Sequence, residues 1–259
     1  MGRAAPSVDR VVAVFNFFAS HPRQSFSLSN IVSSLKISRA SCHGLLIALT
    51  EAGYLYRDRA KHYSLGPALC AIGEIAQDSF LPIVYIKDDI RRIADHLGVI
   101  CSAYGLIRSD VVVLHRAVPA AMIGSPLAAP SRVRLSDTTG LPFTVWASKD
   151  AERDWIAGIR ASTAPKEARA WISSLERMRE LGFCVGGISP AGQPLAPPQL
   201  KKGEHYLVHY ISAPLTDPNS NEVYIVALEG FNRPYSSEEI LDLGRQVKQI
   251  CQGGGLPSK

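Results

Sequence analysis

Residues 39–44 read Arg-Ala-Ser-Cys-His-Gly, and residues 57–61 read Arg-Asp-Arg-Ala-Lys. Arg39 can donate two parallel hydrogen bonds to a guanine edge, while Ser41 and His43 can each give or accept one. Arg57, Arg59 and Lys61 carry charge suited to phosphate oxygens, an attraction that is blind to sequence and weakened by salt. The two stretches together have the chemistry of a surface that reads and holds double-stranded DNA. Taken singly, His43 also fits an ordinary surface histidine and the basic triplet a solvated turn.

No other residues gather in this way. The chain has no GxSxG, HExxH, P-loop or GxGxxG motif, which excludes the common hydrolase, metalloprotease and nucleotide-binding signatures. His205 and His209 are four apart, a metal-compatible spacing on a helix, but they lie in an alternating, strand-like run where a structural or surface role fits better. The five cysteines, Cys42, Cys70, Cys101, Cys184 and Cys251, form no CxxC pair. Cys184, between Gly182 and Gly186, reads as an inert core thiol. We expect no catalysis, no metal and no cofactor.

The surface must be carried by a fold, and 259 residues with 46% hydrophobic content can bury one large core or two. Net charge is +5. The first 80 residues hold 8 Lys or Arg against 5 Asp or Glu and the remainder 20 against 18, so the basic excess is denser at the start. The opening residues lack the apolar run of a secretory signal, and no run of 18 apolar residues offers a membrane span. A cytoplasmic protein without a membrane partner is the expectation.

Val8, Val11, Val12, Phe15 and Phe18 recur at helical spacing, with Ser7 as the expected cap. A second helix is predicted over Leu28–Leu35 with Ser27 as cap. Lys36, Ile37 and Ser38 turn the chain into a third, where Cys42, Leu45, Leu46 and Leu49 form the buried stripe and Gly53 ends the helix. The opposite face carries Arg39, Ala40, His43, Gly44 and Ile47, with Ser41 at its margin near the end where recognition helices meet base edges. "YLYR" and "HYSL" follow as strands joined by "DRAK". Three helices and a basic two-stranded ribbon make a winged helix-turn-helix.

"SVDRVVAVFNFFASHP", "LSNIVSSLKISRASCHGLLIALTEAGYL" and "HYSLGPAL" resemble, in order and spacing, the N-terminal domain of the IclR (isocitrate lyase regulator) family of bacterial transcriptional regulators. "EAGYL" followed closely by "YSLGP" is its most specific part. The family usually has an arginine where this chain has Gly44. A glycine in an exposed helix costs roughly 1 kcal/mol relative to alanine. It marks either close approach of the backbone to a phosphate or the loss of a phosphate contact.

Leu69, Ile72, Ile75 and Ala76 lie on one stripe of a further helix, which by its pattern either closes the first domain or connects two domains; the resemblance implies a connecting helix that also packs against a second subunit. Beyond it the patterns alternate. "VYIKDDIRRIADHLG", "DAERDWIAGI", "KEARAWISSLERMRELG" and "SSEEILDLGRQVKQIC" read as helices, the last capped by Ser236 or Ser237. "VICSAYGLIRSDVVVLHRAV", "HYLVHYISAPLTD" and "NEVYIVALEGF" read as strands. The predicted class is α+β, with a central antiparallel sheet carrying helices. The resemblance continues through "ERMRELGFCV", "YISAPLTD" and "EVYIVALEGFNRPYSSEEI", and implies a GAF-like effector-binding domain. The organisation expected is a winged helix-turn-helix over 1–66, a linker helix over 67–80, the effector and oligomerisation domain over 81–252, and a mobile tail over 253–259.

The stretch after "GLPF" departs from the family's alanine-rich helix. Carried over position by position, the family's ligand pocket implies Trp146, Ala147, Ser148, Tyr210, Ala227 and Glu229 as lining. Glu229 in such a pocket disfavours a carboxylate unless it is paired or protonated. Trp146 and Tyr210 could stack on an aromatic ring. The alternative is that both are core residues and Glu229 faces solvent. The resemblance therefore implies a regulator that binds operator DNA through paired half-sites about 34 Å apart or a multiple of it, as a homodimer or tetramer. It would respond to a small organic effector, aromatic compounds among the candidates, with Arg3 and Arg10 adding phosphate attraction. The alternative is a regulator whose second domain serves only in assembly.

Overall fold

A proline opens the first element of the computed structural model, which describes residues 5–107, 110–123, 132–134, 141–146, 149–188, 200–217 and 219–253. Helix α1 (Pro6–Ala19) starts ahead of Ser7, with Ala5 at the cap position and no side-chain cap bond. The expected Ser7 cap is thus corrected: proline has no N–H to leave unsatisfied in the first turn and its fixed φ suits that turn. The buried stripe is also rotated from the expected one. Val14 and Phe18 are buried, while Val8 and Val12 are 56% and 48% exposed.

The rest of the first unit follows the sequence closely. Strand β1 (Phe26–Ser27), which the periodicity does not reveal, leads into α2 (Leu28–Leu35). There Ser27 Oγ accepts from Asn30 N at 3.3 Å and Asn30 Oδ1 accepts from Ser27 N at 3.1 Å, a reciprocal cap. Lys36 takes the left-handed conformation, and α3 (Arg39–Glu51) begins on Ser38. Strands β2 (Leu55–Arg57) and β3 (His62–Leu65) complete an antiparallel sheet in the order β1-β3-β2. Ile31, Cys42, Leu46, Leu55 and Tyr63 share one core with Val14 and Phe18. Helix α4 (Ala68–Ser79) comes next and buries no residue, leaving Ile72 and Ile75 49% and 67% exposed. By internal contacts the chain divides into Met1–Ser79 with Pro130–Val133, and Phe80–Ala129 with Arg134–Lys259.

The second unit contains α5 (Leu81–Val84), α6 (Lys87–Leu97), β4 (Ile100–Ile107), β5 (Asp110–Ala117), α7 (Leu141–Trp146), α8 (Lys149–Ser162) and α9 (Pro165–Leu181), and the division falls within β6 (Arg132–Arg134). It ends with β7 (Cys184–Ile188), β8 (His205–Thr216), β9 (Val223–Glu229), β10 (Pro234–Ser236) and α10 (Ser237–Cys251). The sheet runs β10-β8-β9-β4-β5-β6, with β7 on β8, and each strand pair with a described register is antiparallel. Alternation along the strands sends successive side chains to opposite faces. Cys101, Ala103, Ile211, Ala213, Val226 and Leu228 pack with Ile90, Ile93, Ile240 and Val247 from α6 and α10. Cys184 faces the other way, with Leu141, Val145, Trp155, Leu175 and Met178 from α7, α8 and α9. Ser236 caps α10 through a reciprocal bond with Glu239. The fold is α+β, an N-terminal winged helix-turn-helix followed by a domain built on an antiparallel sheet. Of the expected tail, 254–259 lie outside the described residues.

Candidate functional site

Helix α3 buries one face and leaves the other open. Arg39, Ala40, Ser41, His43 and Gly44 are all exposed, because Cys42, Leu46 and Leu49 supply the packing on the opposite side. Arg39 is not wholly loose: its Nη1 donates to Ser29 Oγ on α2 at 3.2 Å. Ser29 is thus a neighbour that the sequence pattern does not single out, since a ten-residue separation across a turn has no periodic signature. Ser38 Oγ donates to Ser41 Oγ at 2.9 Å and accepts from Ser41 N at 3.3 Å, so Ser41 shares in the helix cap. A Cβ added at Gly44 would meet nothing within 4 Å.

The ribbon is a tight, self-bonded turn. Asp58 N donates to His62 O at 2.9 Å, Lys61 N to Asp58 O at 3.1 Å and His62 N to Asp58 Oδ1 at 2.8 Å. Lys61 has φ +65°, in the left-handed region. Arg57, Arg59 and Lys61 are exposed, and the Arg57 guanidinium lies 5.4 Å from the Tyr63 ring centroid, near enough for a cation–π contact. Arg10 is exposed on α1, and Arg3 lies outside the described residues.

The residues expected to line a ligand pocket divide. Ala147 and Ser148 lie outside the described residues. Trp146, at the end of α7, and Tyr210 are partly buried and pack against the cluster formed by α7, α8, α9 and Cys184. A Cβ on Gly186 would come 2.2 Å from the Tyr210 ring, so the ring rests on bare backbone. Ala227 is 4% exposed. Glu229 is half-buried and engaged: Oε1 accepts from the Tyr104 hydroxyl at 2.6 Å and Oε2 from Ser102 Oγ at 3.1 Å. Arg116 joins them, donating from Nε to Ser102 Oγ at 3.0 Å and from Nη2 to the Tyr104 hydroxyl at 3.4 Å.

Register explains this meeting. Ser102 is paired with Ala227 on one side and Arg116 on the other, so three strands bring them into one row. Burial, and then the neighbouring Glu229 charge, holds the Tyr104 phenol well above its ordinary pKa, and it remains a donor. The alternation in "ICSAYGLI" places Ser102 and Tyr104 on one face, but their partner Glu229 is 125 residues away from Tyr104 and needs the sheet order to be found.

Among the described residues no group of three or more His, Cys, Asp or Glu side chains is placed to hold a metal. His205 and His209 are exposed on β8. Burial pushes the Cys184 thiol up to about 12, far from a reactive thiolate. No single described helix is long and apolar enough to cross a membrane.

With this geometry in view, residues 7–59 match the IclR helix-turn-helix domain. The HTH-type transcriptional regulator KipR of Bacillus subtilis (strain 168) is 33% identical over 88 residues, 34% of this chain and 31% of that protein. The glycerol operon regulatory protein of Streptomyces coelicolor is 30% identical over 107 residues, 39% of this chain and 42% of that protein. Both matches thus span less than half of the relative's length. The similarity in fold extends further. An IclR transcriptional regulator from Alicyclobacillus acidocaldarius superposes with a TM-score of 0.74 at 17% identity, over 97% of this chain and 98% of that one. An IclR homologue of Microbacterium hydrocarbonoxydans, complexed with 4-hydroxybenzoate, superposes with a TM-score of 0.65 at 14% identity, over 96% and 97%.

Proposed function

We propose that the chain, whose residues 7–59 match the IclR helix-turn-helix domain, is a transcriptional regulator of the IclR type that binds double-stranded operator DNA in the cytoplasm and answers to a small organic effector. The observation that carries the DNA reading is the face of α3. Arg39, Ala40, Ser41, His43 and Gly44 are exposed together on a helix whose other side is fully packed, and the exposed cations of the β2–β3 turn follow it in the same unit. A folded domain needs none of these side chains for its core, which leaves them available to a partner.

In this reading α3 enters the major groove with Arg39 directed at a guanine, and Ser41 and His43 near it. Arg57, Arg59 and Lys61 hold phosphates on the flank, with help from Arg3 and Arg10. Two copies of the chain supply two reading heads, and α4, with its apolar stripe uncovered, is suited to join them. The effector would act if it binds two arrangements of those heads unequally. Its site is the inner face of the second unit's sheet, where Trp146, Tyr210, Ala227 and Glu229 lie, with Ala147 and Ser148 adjoining in sequence. The 4-hydroxybenzoate complex of a structural neighbour supports a small, ring-bearing ligand.

The test is a gel shift with DNA from upstream of the protein's own gene, against excess nonspecific competitor and at two salt concentrations. We expect a specific complex that weakens with salt, and Arg39→Ala to weaken it by about 1–3 kcal/mol, roughly 5- to 150-fold. Unchanged affinity in that variant would remove α3 as the reading helix. One observation favours a second reading, in which the sheet domain serves only in assembly: Glu229 already finds partners within the chain.

A further inference from the structure

We infer that the inner face of the sheet receives an uncharged ligand through a hydroxyl group lodged over Ala227, and that it turns away carboxylates and amines of the same shape. This narrows the effector reading above to a ligand class, and rests on it.

The site is centred on a buried cross-strand row of small side chains. Reading across five strands, Cys184 pairs with Ser212, Ser212 with Ala227, Ala227 with Ser102, and Ser102 with Arg116. The middle of that row holds only small side chains, Ser212, Ala227 and Ser102. Ser212 and Ser102 flank it, and Glu229 stands two residues along β9 on the same face.

Ser212 carries the second observation. It is fully buried, and its Oγ has no hydrogen-bond partner among the described residues. The Cys184 thiol across the strand pair feels Ser212 as a weak hydrogen-bonding influence that lowers it slightly against the larger effect of burial, but no bond of ordinary length and angle reaches the Ser212 hydroxyl. A buried hydroxyl without a partner is unusual enough to require an explanation. Here the explanation is a group that the free chain lacks. Ser212 and Glu229 are diagonal neighbours across β8 and β9, about 7–8 Å apart at the backbone and closer at their side chains. One hydroxyl between them can accept from Ser212 and donate to Glu229.

Charge decides the class. The carboxylate of Glu229 and the guanidinium of Arg116 are bound to the same two hydroxyls, those of Ser102 and Tyr104, and so offset one another within a few ångströms. A ligand carboxylate would meet Glu229 in a poorly solvated place, and an ammonium would meet Arg116. A neutral hydroxyl meets neither penalty and satisfies Ser212.

The experiment uses the full chain and matched probes on two skeletons: benzyl alcohol, benzoate and benzylamine, and their cyclohexylmethyl counterparts. Thermal shift is read beside the gel shift described above. We expect an alcohol to raise the melting temperature while its carboxylate and amine do not. Ser212→Ala should weaken that alcohol about tenfold without lowering the melting temperature of the free protein, since it deletes an unpaired group. Ala227→Val, which adds bulk at the middle of the row, should abolish the shift. A carboxylate or amine that stabilises as well as the alcohol overturns the inference but leaves effector sensing standing. No shift from any of the six probes, with DNA affinity also unmoved, overturns both.

Discussion

The proposed reading face of α3 and the inner face of the sheet hold their candidate residues under opposite conditions. On α3, Arg39, Ala40, His43 and Gly44 project from a helix whose core contacts are made by other residues, and Arg39 alone among them bonds to a neighbouring helix, at Ser29, so each can change at little cost to the fold. On the sheet, Glu229 is bonded to Ser102 and Tyr104, Arg116 to both of those, and Tyr210 lies on Gly186. A surface site can be read one residue at a time. An interior site is a network, and its members serve binding and stability together.

The largest effect should come where the reading head itself is under constraint. Gly66 is buried at the end of the ribbon, its N donating to Tyr54 O at 2.8 Å. A Cβ there would sit 2.2 Å from Gly53 O and under 3 Å from the carbonyl carbons of Tyr54 and Leu55, and backbone cannot swing aside. We expect Gly66→Ala to cost about 3 kcal/mol or more and to abolish operator binding. The three tryptophans, Trp146, Trp155 and Trp171, all lie in the second unit. Tryptophan fluorescence should therefore keep its normal melting transition while circular dichroism shows early loss of helix. If both signals fell together, the two units would not be independent in stability and the comparison would fail.

The next effect sharpens the other side. Tyr104→Phe removes the shorter of the two side-chain bonds to Glu229 and leaves a half-buried carboxylate with Ser102 alone. The expected loss is about 1.5–3 kcal/mol, on the order of 5 °C in the tryptophan-monitored transition, with operator affinity unchanged in the absence of ligand. A variant as stable as the parent would mean that Glu229 is well solvated and that the network adds little.

How far the chain could be read without coordinates follows the same division. Helices α2 and α3, their caps Ser27 and Ser38 and the ribbon are local features. Capping residues and apolar spacing specify them within a dozen positions, and the chain follows them nearly to the residue. Where local signals compete, one of them prevails: Pro6 rather than Ser7 opens α1, and its buried stripe runs through Val14 and Phe18. Strand β1 is two residues long, too short to show alternation. In the second unit the elements were readable and their meeting was not. The partners of Glu229 come from β4, and the place of β4 beside both β9 and β5 is a property of sheet order. No spacing within "VYIVALEGF" or "ICSAYGLI" records it.

The smallest predicted change bears on the glycine in the reading face. In the free chain Gly44 is exposed with open space where a side chain would stand, so no packing requires it. Gly44→Ala should then stabilise the helix by up to about 1 kcal/mol, raising the circular-dichroism melting temperature slightly. Its consequence for DNA separates the two meanings that glycine can have. If a phosphate contact has been lost, Ala leaves operator affinity unchanged, and Gly44→Arg restores a contact, steepening the salt dependence by about 0.9 in the log–log slope. That is the outcome we expect, because an exposed helical glycine with nothing packed against it fits a missing side chain. If instead the backbone lies against the phosphate, even the alanine methyl weakens binding in a protein that has become more stable. The tolerance of substitution that distinguishes the reading face from the sheet would then end at Gly44.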